Sequence, residues 1–212
     1  MRKSALVDKS LSGSVEGTSP AGRVVRAARE SFLQRGFRSV SMDELAQALG
    51  MSKRTIYEIF PDKESLVQAV VNQKLSEIET ELEALTSERG MGFLRLSKEL
   101  FSCVYRHTSE IQPAFVHDIR RHAPGVFSAI EVRRRALIER HIERLIRKGQ
   151  SSGDVRSDVP ARFFVQMTLA SVSSLVTPQK MEELGLTPRE GLMAVFSVVF
   201  EGLLTEKGRK ML

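Results

Sequence analysis

Apolar residues recur three or four positions apart along nearly the whole chain, the spacing of amphipathic helices. Over 20–36, Val24, Ala28 and Phe32 share a face with Val25 and Leu33 beside it. Pro20 suits the first turn of that helix and Gly36 its stop. Residues 41–66 read as two short helices meeting at a glycine, followed by the start of a third. Ser41 can cap the first, and Glu44 can reciprocate as a capping box. Met42, Leu45, Ala46 and Leu49 fall on one face, and Gly50 stands where a helix end needs a left-handed residue. Ser52 can cap the second helix, whose apolar side is Ile56 and Phe60. Asp62 can cap a third that continues through Leu66, Val67, Val70 and Val71 to about residue 85.

Beyond Gly90 the same periodicity predicts helices over 93–106 and 126–148, a shorter piece between Pro113 and Pro124, and further helices from Pro160 to Leu175 and over 192–203. The stretch GQSSGDVRSDVP (149–160) reads as a loop and TPQKMEELGLTPRE (177–190) as a polar connection. No alternating β-branched run with a hairpin turn is present. The expected fold is all-α. It comprises a tail over 1–19, a three-helix helix-turn-helix domain over 20–66, and a helical domain over 67–212 reached through a connector helix.

Charge sharpens this division. The formal net charge is +6, and residues 1–75 hold 12 Lys/Arg against 8 Asp/Glu, so most of the excess lies beside the helix pair. A basic balance there admits nucleic acid as a partner. In the tail, Arg2, Lys3 and Lys9 can reach a minor groove or simply stay solvated, and Arg23 and Arg26 can touch a DNA backbone. A single cysteine excludes an intrachain disulfide framework and fits a reducing compartment. No run of about 18 apolar residues and no secretion signal is present, so a cytoplasmic protein with no membrane partner is expected.

Ala46, Gly50 four residues later and Ile56 six after that form helix-turn-helix spacing. The small residue lets the helices approach, the glycine makes the turn, and the aliphatic residue locks the second helix onto the first. That helix begins with Lys53, Arg54 and Thr55, at the end that enters a major groove. The segment AARESFLQRGFRSVSMDELAQALGMSKRTIYEIFPDKESL resembles the N-terminal domain of TetR-family transcriptional regulators. Ala27-Ala28, Phe32 and Gly36-Phe37 resemble the family's first helix. Ala46, Gly50 and Ser52 resemble its helix-turn-helix. Ile56-Tyr57, Phe60, Lys63 and Leu66 resemble its recognition helix and the start of the fourth.

The resemblance implies a homodimer that binds a palindromic double-stranded DNA operator and is most often a repressor, released when a small apolar or amphipathic molecule enters the second domain. The DNA-binding residues would be Ser41, Ser52, Lys53, Arg54, Thr55, Tyr57 and Lys63, with Ser41, Tyr57 and Lys63 contacting phosphates and Lys53, Arg54 and Thr55 facing bases or adjacent backbone. Arg54 can read a guanine in bidentate fashion. Glu58 and Ile59 depart from the basic or aromatic residues common at those positions, and Glu58 is expected to point away or to pair with an arginine. An activator, or an all-α interaction module without an inducer, is the alternative.

An effector pocket would draw on Phe101, Cys103, Val104, His107, Phe115, Phe127, Phe164 and Met167, each of which can equally be core. A dimer interface would draw on small Ala170, Ser171, Ser173 and Ser174 and on the stripe Leu192, Phe196, Val199 and Leu203, with packing inside the subunit as the other reading. Cofactor, metal and catalytic sites are not expected. Cys103 and His107, at i and i+4, make at most half of a metal site, and no G-x-S-x-G, phosphate loop or H-E-x-x-H occurs.

Overall fold

The computed structural model describes residues 19–88 and 90–210. The expectation placed on Arg2, Lys3 and Lys9 lies outside these residues. Among the described residues the chain is helical throughout, with one isolated antiparallel bridge, Val155 to Leu204. The helices are α1 (Pro20–Arg35), α2 (Met42–Leu49), α3 (Lys53–Ile59), α4 (Lys63–Ser87), α5 (Phe93–Ser109), α6 (Pro113–His122), α7 (Pro124–Ser152), α8 (Ala161–Leu175), α9 (Pro178–Leu184), α10 (Pro188–Leu203) and α11 (Glu206–Arg209).

The chain divides into two compact units. The first runs to Lys74 and also takes in Thr108–Ile130, so it is wider than the 20–66 window. Val24, Ala28 and Phe32 of α1, Ile56 of α3, and Leu66, Val67 and Val70 of α4 are fully buried in it. The α6 segment joins the same unit through specific bonds. The Gln112 N–H donates to the Leu33 carbonyl at 3.0 Å, and the Arg38 N–H donates to Asp118 Oδ2 at 3.0 Å. Gly36, at φ +80°, ends α1 where a Cβ would come within 2.6 Å of Asp118 Oδ2. Neither the backbone angle nor the space suits a side chain there. The acid Glu110 gathers Lys74 at 2.6 Å and Arg29 at 3.2 Å, tying α4 and α1 to the turn before α6.

The second unit comprises Leu75–His107 and Glu131–Leu212. Its core joins Leu82 of α4, Phe93, Leu96, Leu100 and Cys103 of α5, Leu145 and Ile146 of α7, Phe164 and Val165 of α8, and Leu203 of α10. Ion pairs run along α4 and α7: Glu79 with Arg133 and Arg140, Glu83 with Arg144. His141 is buried beneath them, its Nδ1 3.2 Å from the Thr86 hydroxyl, and burial pushes its pKa down.

Three sequence expectations change here. The loop read from Gly149 onward begins later, because α7 runs on to Ser152. Gly149 is inside the helix, where a Cβ would lie 2.6 Å from the Phe93 ring and 2.5 Å from Val155. The glycine permits close packing, not a stop. The polar connection over 177–190 contains α9, capped by Thr177 at its start and by left-handed Gly185 at its end, with Met181 buried. Thr187 and Glu190 then form a capping box for α10. Finally, the stripe Leu192, Phe196, Val199 and Leu203 is divided, with Leu203 buried and the other three half-buried. Phe196 meets Phe101 edge-on at 5.3 Å, Val199 packs on the core, and Leu203 is buried in it. Elsewhere on α10 Met193 and Val198 are exposed, and neighbouring α8 exposes Phe163, Ala170, Ser173, Ser174 and Leu175.

Candidate nucleic-acid interface

Three helix starts in the first unit present the candidate DNA contacts. At α2 the Glu44 N–H donates to Ser41 Oγ at 3.0 Å and the Ser41 N–H donates to Glu44 Oε2 at 2.6 Å. These bonds hold the Glu44 carboxyl below its usual range. Gly50 ends α2 at φ +61°, in the left-handed region that favours glycine, and its neighbour Met51 donates its N–H back to the Ala46 carbonyl at 2.9 Å. Two residues after this turn, Ser52 Oγ accepts from the Thr55 N–H at 3.1 Å and lies 2.8 Å from the Thr55 hydroxyl, fixing the first turn of α3. Before α4, Asp62 Oδ1 accepts from the Ser65 N–H at 2.6 Å.

Ile56 is the one fully buried side chain on α3, and it anchors the helix by its inner face. Thr55 and Ile59 are half-buried, and the remaining residues of the helix are turned outward. Lys53 and Arg54 project into solvent, and Tyr57 is 40% exposed. Lys63 stands in the first turn of α4. Its Nζ donates to the Arg38 carbonyl at 3.3 Å and lies 5.7 Å from the centre of the Phe37 ring. Partial burial, and then the Arg38 cation, lower its pKa. A cation confined between a carbonyl and a ring face is positioned before any anion arrives. Ser41, Ser52, Lys53, Arg54, Thr55, Tyr57 and Lys63 thus lie on one compact unit.

The structure adds two carboxylates to this surface. Lys53 Nζ is 2.9 Å from Asp43, whose hydrogen bond raises the lysine pKa. Arg54 Nε is 2.8 Å from Glu58, one turn along α3. The expectation that Glu58 pairs with an arginine thus meets Arg54 itself, the candidate base-reading residue. The i, i+4 spacing carried that signal for Glu58. Asp43 lies on another helix, and no local pattern pointed to it.

The candidate effector residues are dispersed. Phe101, Cys103, Val104, His107, Phe164 and Met167 belong to the second unit, while Phe115 and Phe127 belong to the first. Cys103 and Phe164 are buried in the core; Phe101 and Val104 are exposed. Phe101 joins a cluster of rings, meeting Phe196 at 5.3 Å and Phe200 at 6.3 Å. An open groove of about 790 Å³ in the second unit is lined instead by polar and charged side chains of α4 and α7, among them Glu79, Glu83, Arg140 and Arg144. No described helix is long and apolar enough to cross a membrane.

Residues 24–70 match the family described as bacterial regulatory proteins, tetR family. Over 188 residues the chain is 23% identical to the uncharacterized HTH-type transcriptional regulator YvaF of Bacillus subtilis (strain 168), spanning 87% of this chain and 96% of that one. It is 20% identical over 184 residues to the HTH-type transcriptional repressor DhaR of Mycobacterium sp. (strain GP1), with 85% and 90% covered. Among solved structures, a transcriptional regulator from Cytophaga hutchinsonii ATCC 33406 shares the fold, with a TM-score of 0.64 at 20% identity over 86% of this chain and 97% of the other.

Proposed function

Because the chain belongs to the TetR family of bacterial regulatory proteins and is a DNA-binding transcriptional regulator rather than an enzyme, we propose that it is a cytoplasmic, homodimeric repressor of a palindromic operator. A small apolar or amphipathic molecule entering the second unit releases it. The observation that carries the reading is the outward face of α3, with Lys53, Arg54 and Tyr57 exposed while Ile56 locks the helix from beneath. Ser41, Tyr57 and Lys63 grip phosphates, Arg54 reads a base edge, and Lys53 and Thr55 face bases or backbone beside it. Ser52 holds the start of the recognition helix. Two such helices in a dimer reach successive major grooves about 34–36 Å apart. The exposed Phe163 of α8 and Met193 and Val198 of α10 supply the dimer face. The ring cluster around Phe101 supports an apolar effector.

Selection of an operator from random DNA tests the reading. A palindromic consensus is the expected result, and recovery of no consensus overturns it. With that operator, Tyr57→Ala and Lys63→Ala weaken binding to every sequence. Each lost phosphate contact flattens the salt slope by about 0.9, so Lys63→Ala in a dimer flattens it by about 1.8. An unchanged affinity and slope in titrations at several salt concentrations would remove Lys63 from the contact set.

The Arg54–Glu58 pair gives a second test in the opposite direction. Glu58 holds Arg54 through its Nε, and its charge repels phosphate, so the pair works against DNA at this position. An exposed i, i+4 pair is worth about 0.3–0.5 kcal/mol, or about three- to fivefold in affinity over two subunits. Glu58→Gln therefore tightens operator binding by about that factor, read in the same titration. Weaker binding would mean that Glu58 orients Arg54 instead of competing for it.

A further inference from the structure

The half-site that Cys103 and His107 make on one face of α5 gains a third residue in the folded unit. Glu81 of α4 meets them, and a ligand atom from each of the three lies within 4.8 Å of the other two. His107 Nε2 is 2.9 Å from Glu81 Oε2, while His107 Nδ1 is buried with no hydrogen-bond partner. Cys103 is fully buried, and Glu81 faces partly outward, where Arg106 also pairs with it. All of these residues lie in the second unit.

We propose that Glu81, Cys103 and His107 form a binding site for one borderline-soft divalent metal ion of the zinc class. The donor set selects the class. A thiolate, an imidazole and a carboxylate suit zinc or cobalt, whereas magnesium and calcium take oxygen ligands. Tetrahedral coordination at zinc bond lengths sets ligand atoms about 3.3–3.5 Å apart. The 2.9 Å contact between Glu81 and His107 therefore opens by about half an ångström to admit the ion, while Cys103 closes on it from within 4.8 Å and Arg106 swings from Glu81 into solvent. Charge balances, because a dication meets one thiolate and one carboxylate, and the thiol proton passes to water as the metal binds. Three protein ligands leave a fourth position for water on the exposed side of Glu81. Structural zinc sites close all four positions with protein, so here the ligand at the fourth position, not the set of three side chains, is the exchangeable one. Metal binding does not depend on the regulatory reading above, and it is measured without DNA.

The test uses the full chain, stripped of metal and kept reduced with a phosphine, titrated with cobalt(II) alone. The expected result is a thiolate-to-cobalt charge-transfer band that saturates at one ion per chain, accompanied by visible bands of a four-coordinate ion, all displaced by zinc. Cys103→Ala abolishes the charge-transfer band. His107→Gln and Glu81→Gln each weaken binding by more than about tenfold, the lower end of the loss seen when only an outer-shell partner is removed. Circular dichroism checks that each variant folds. Glu81→Gln, at the partly exposed position, keeps the test decisive if the buried cysteine cannot be replaced. Absence of the band in the wild-type chain overturns the site, and so does a band that His107→Gln and Glu81→Gln leave unchanged, which would mark adventitious binding to the thiol.

Discussion

Val198→Glu is expected to convert the protein to a monomer and to abolish operator binding at concentrations that saturate the wild type. Val198 is 75% exposed on α10, and Met193 on the same helix and Phe163 on neighbouring α8 are 61% and 60% exposed. Ala170, Ser173 and Ser174 lie exposed along α8, small enough for close helix approach. In a two-fold dimer every substitution occurs twice. A carboxylate forced into an apolar contact costs at least about 2 kcal/mol, so two copies weaken dimerisation by about a thousandfold. Loss of the second half-site then removes an avidity of about 10² to 10⁴. Light scattering after gel filtration reads the mass, and a mobility shift on the selected operator reads the affinity. Val132→Glu is the control. Val132 of α7 is also a valine in solvent, 69% exposed, but on another helix of the same unit. If Val198→Glu stays dimeric with full affinity, α8 and α10 are not the interface. If Val132→Glu behaves like Val198→Glu, general loss of solubility explains both.

The contrast between Val198 and Phe196 shows which kind of information the sequence carried. Helix positions came through because their signals are local. The Ser41–Glu44 box, Gly50, Ser52 and Asp62 each act within one turn, and each is in place in the folded chain. The facing of a helix is not local. The sequence of α10 lets the stripe through Phe196 and Leu203 read as dimer contact first and as subunit interior second. The rings of Phe93 and Phe101 on α5 draw Phe200 and Phe196 partly inward, a contact no local pattern could announce. Glycine is ambiguous in the same way. Gly50 and Gly149 both look like helix ends, but Gly149 is inside α7 because Phe93 packs where its side chain would be. On the candidate DNA surface, the cations were legible one by one, and so was the turn that presents them. Their carboxylate partners were legible only within a helix: Glu58 lies four residues from Arg54, but Asp43 lies on α2 and Lys53 on α3. Glu81, 22 positions before Cys103 on another helix, had no signal that could join it to the pair on α5.

Lys74 and Glu110 supply the largest expected stability effect in the first unit. The Lys74 side chain is only 5% exposed, and Glu110 Oε2 receives both Lys74 Nζ at 2.6 Å and Arg29 at 3.2 Å. Removing the carboxylate leaves two neighbouring cations, one of them buried. Breaking a fully buried pair costs about 3–5 kcal/mol, but Glu110 is 47% exposed, so water replaces part of what is lost. Glu110→Ala is therefore expected to destabilise the unit by about 2 kcal/mol, and Glu110→Gln by somewhat less, since its amide oxygen still accepts a hydrogen bond. Lys74→Met removes the buried charge itself and is expected to be near neutral. The double variant Lys74→Met with Glu110→Gln should fall short of the sum of the single losses by about 1 kcal/mol. The pH dependence has a definite sign. The hydrogen bond from Lys74, and then that from Arg29, hold the Glu110 carboxyl below its ordinary 4.5, so the folded chain binds fewer protons here than the unfolded one. The stabilisation is complete above that ordinary value and disappears as pH falls through the lower folded one. Urea unfolding of the wild type and Glu110→Gln should therefore give midpoints that differ at neutral pH and converge in acid. Parallel curves across the acid range would show that the carboxylate contributes no net stability, and that burial of Lys74 is compensated by something other than Glu110.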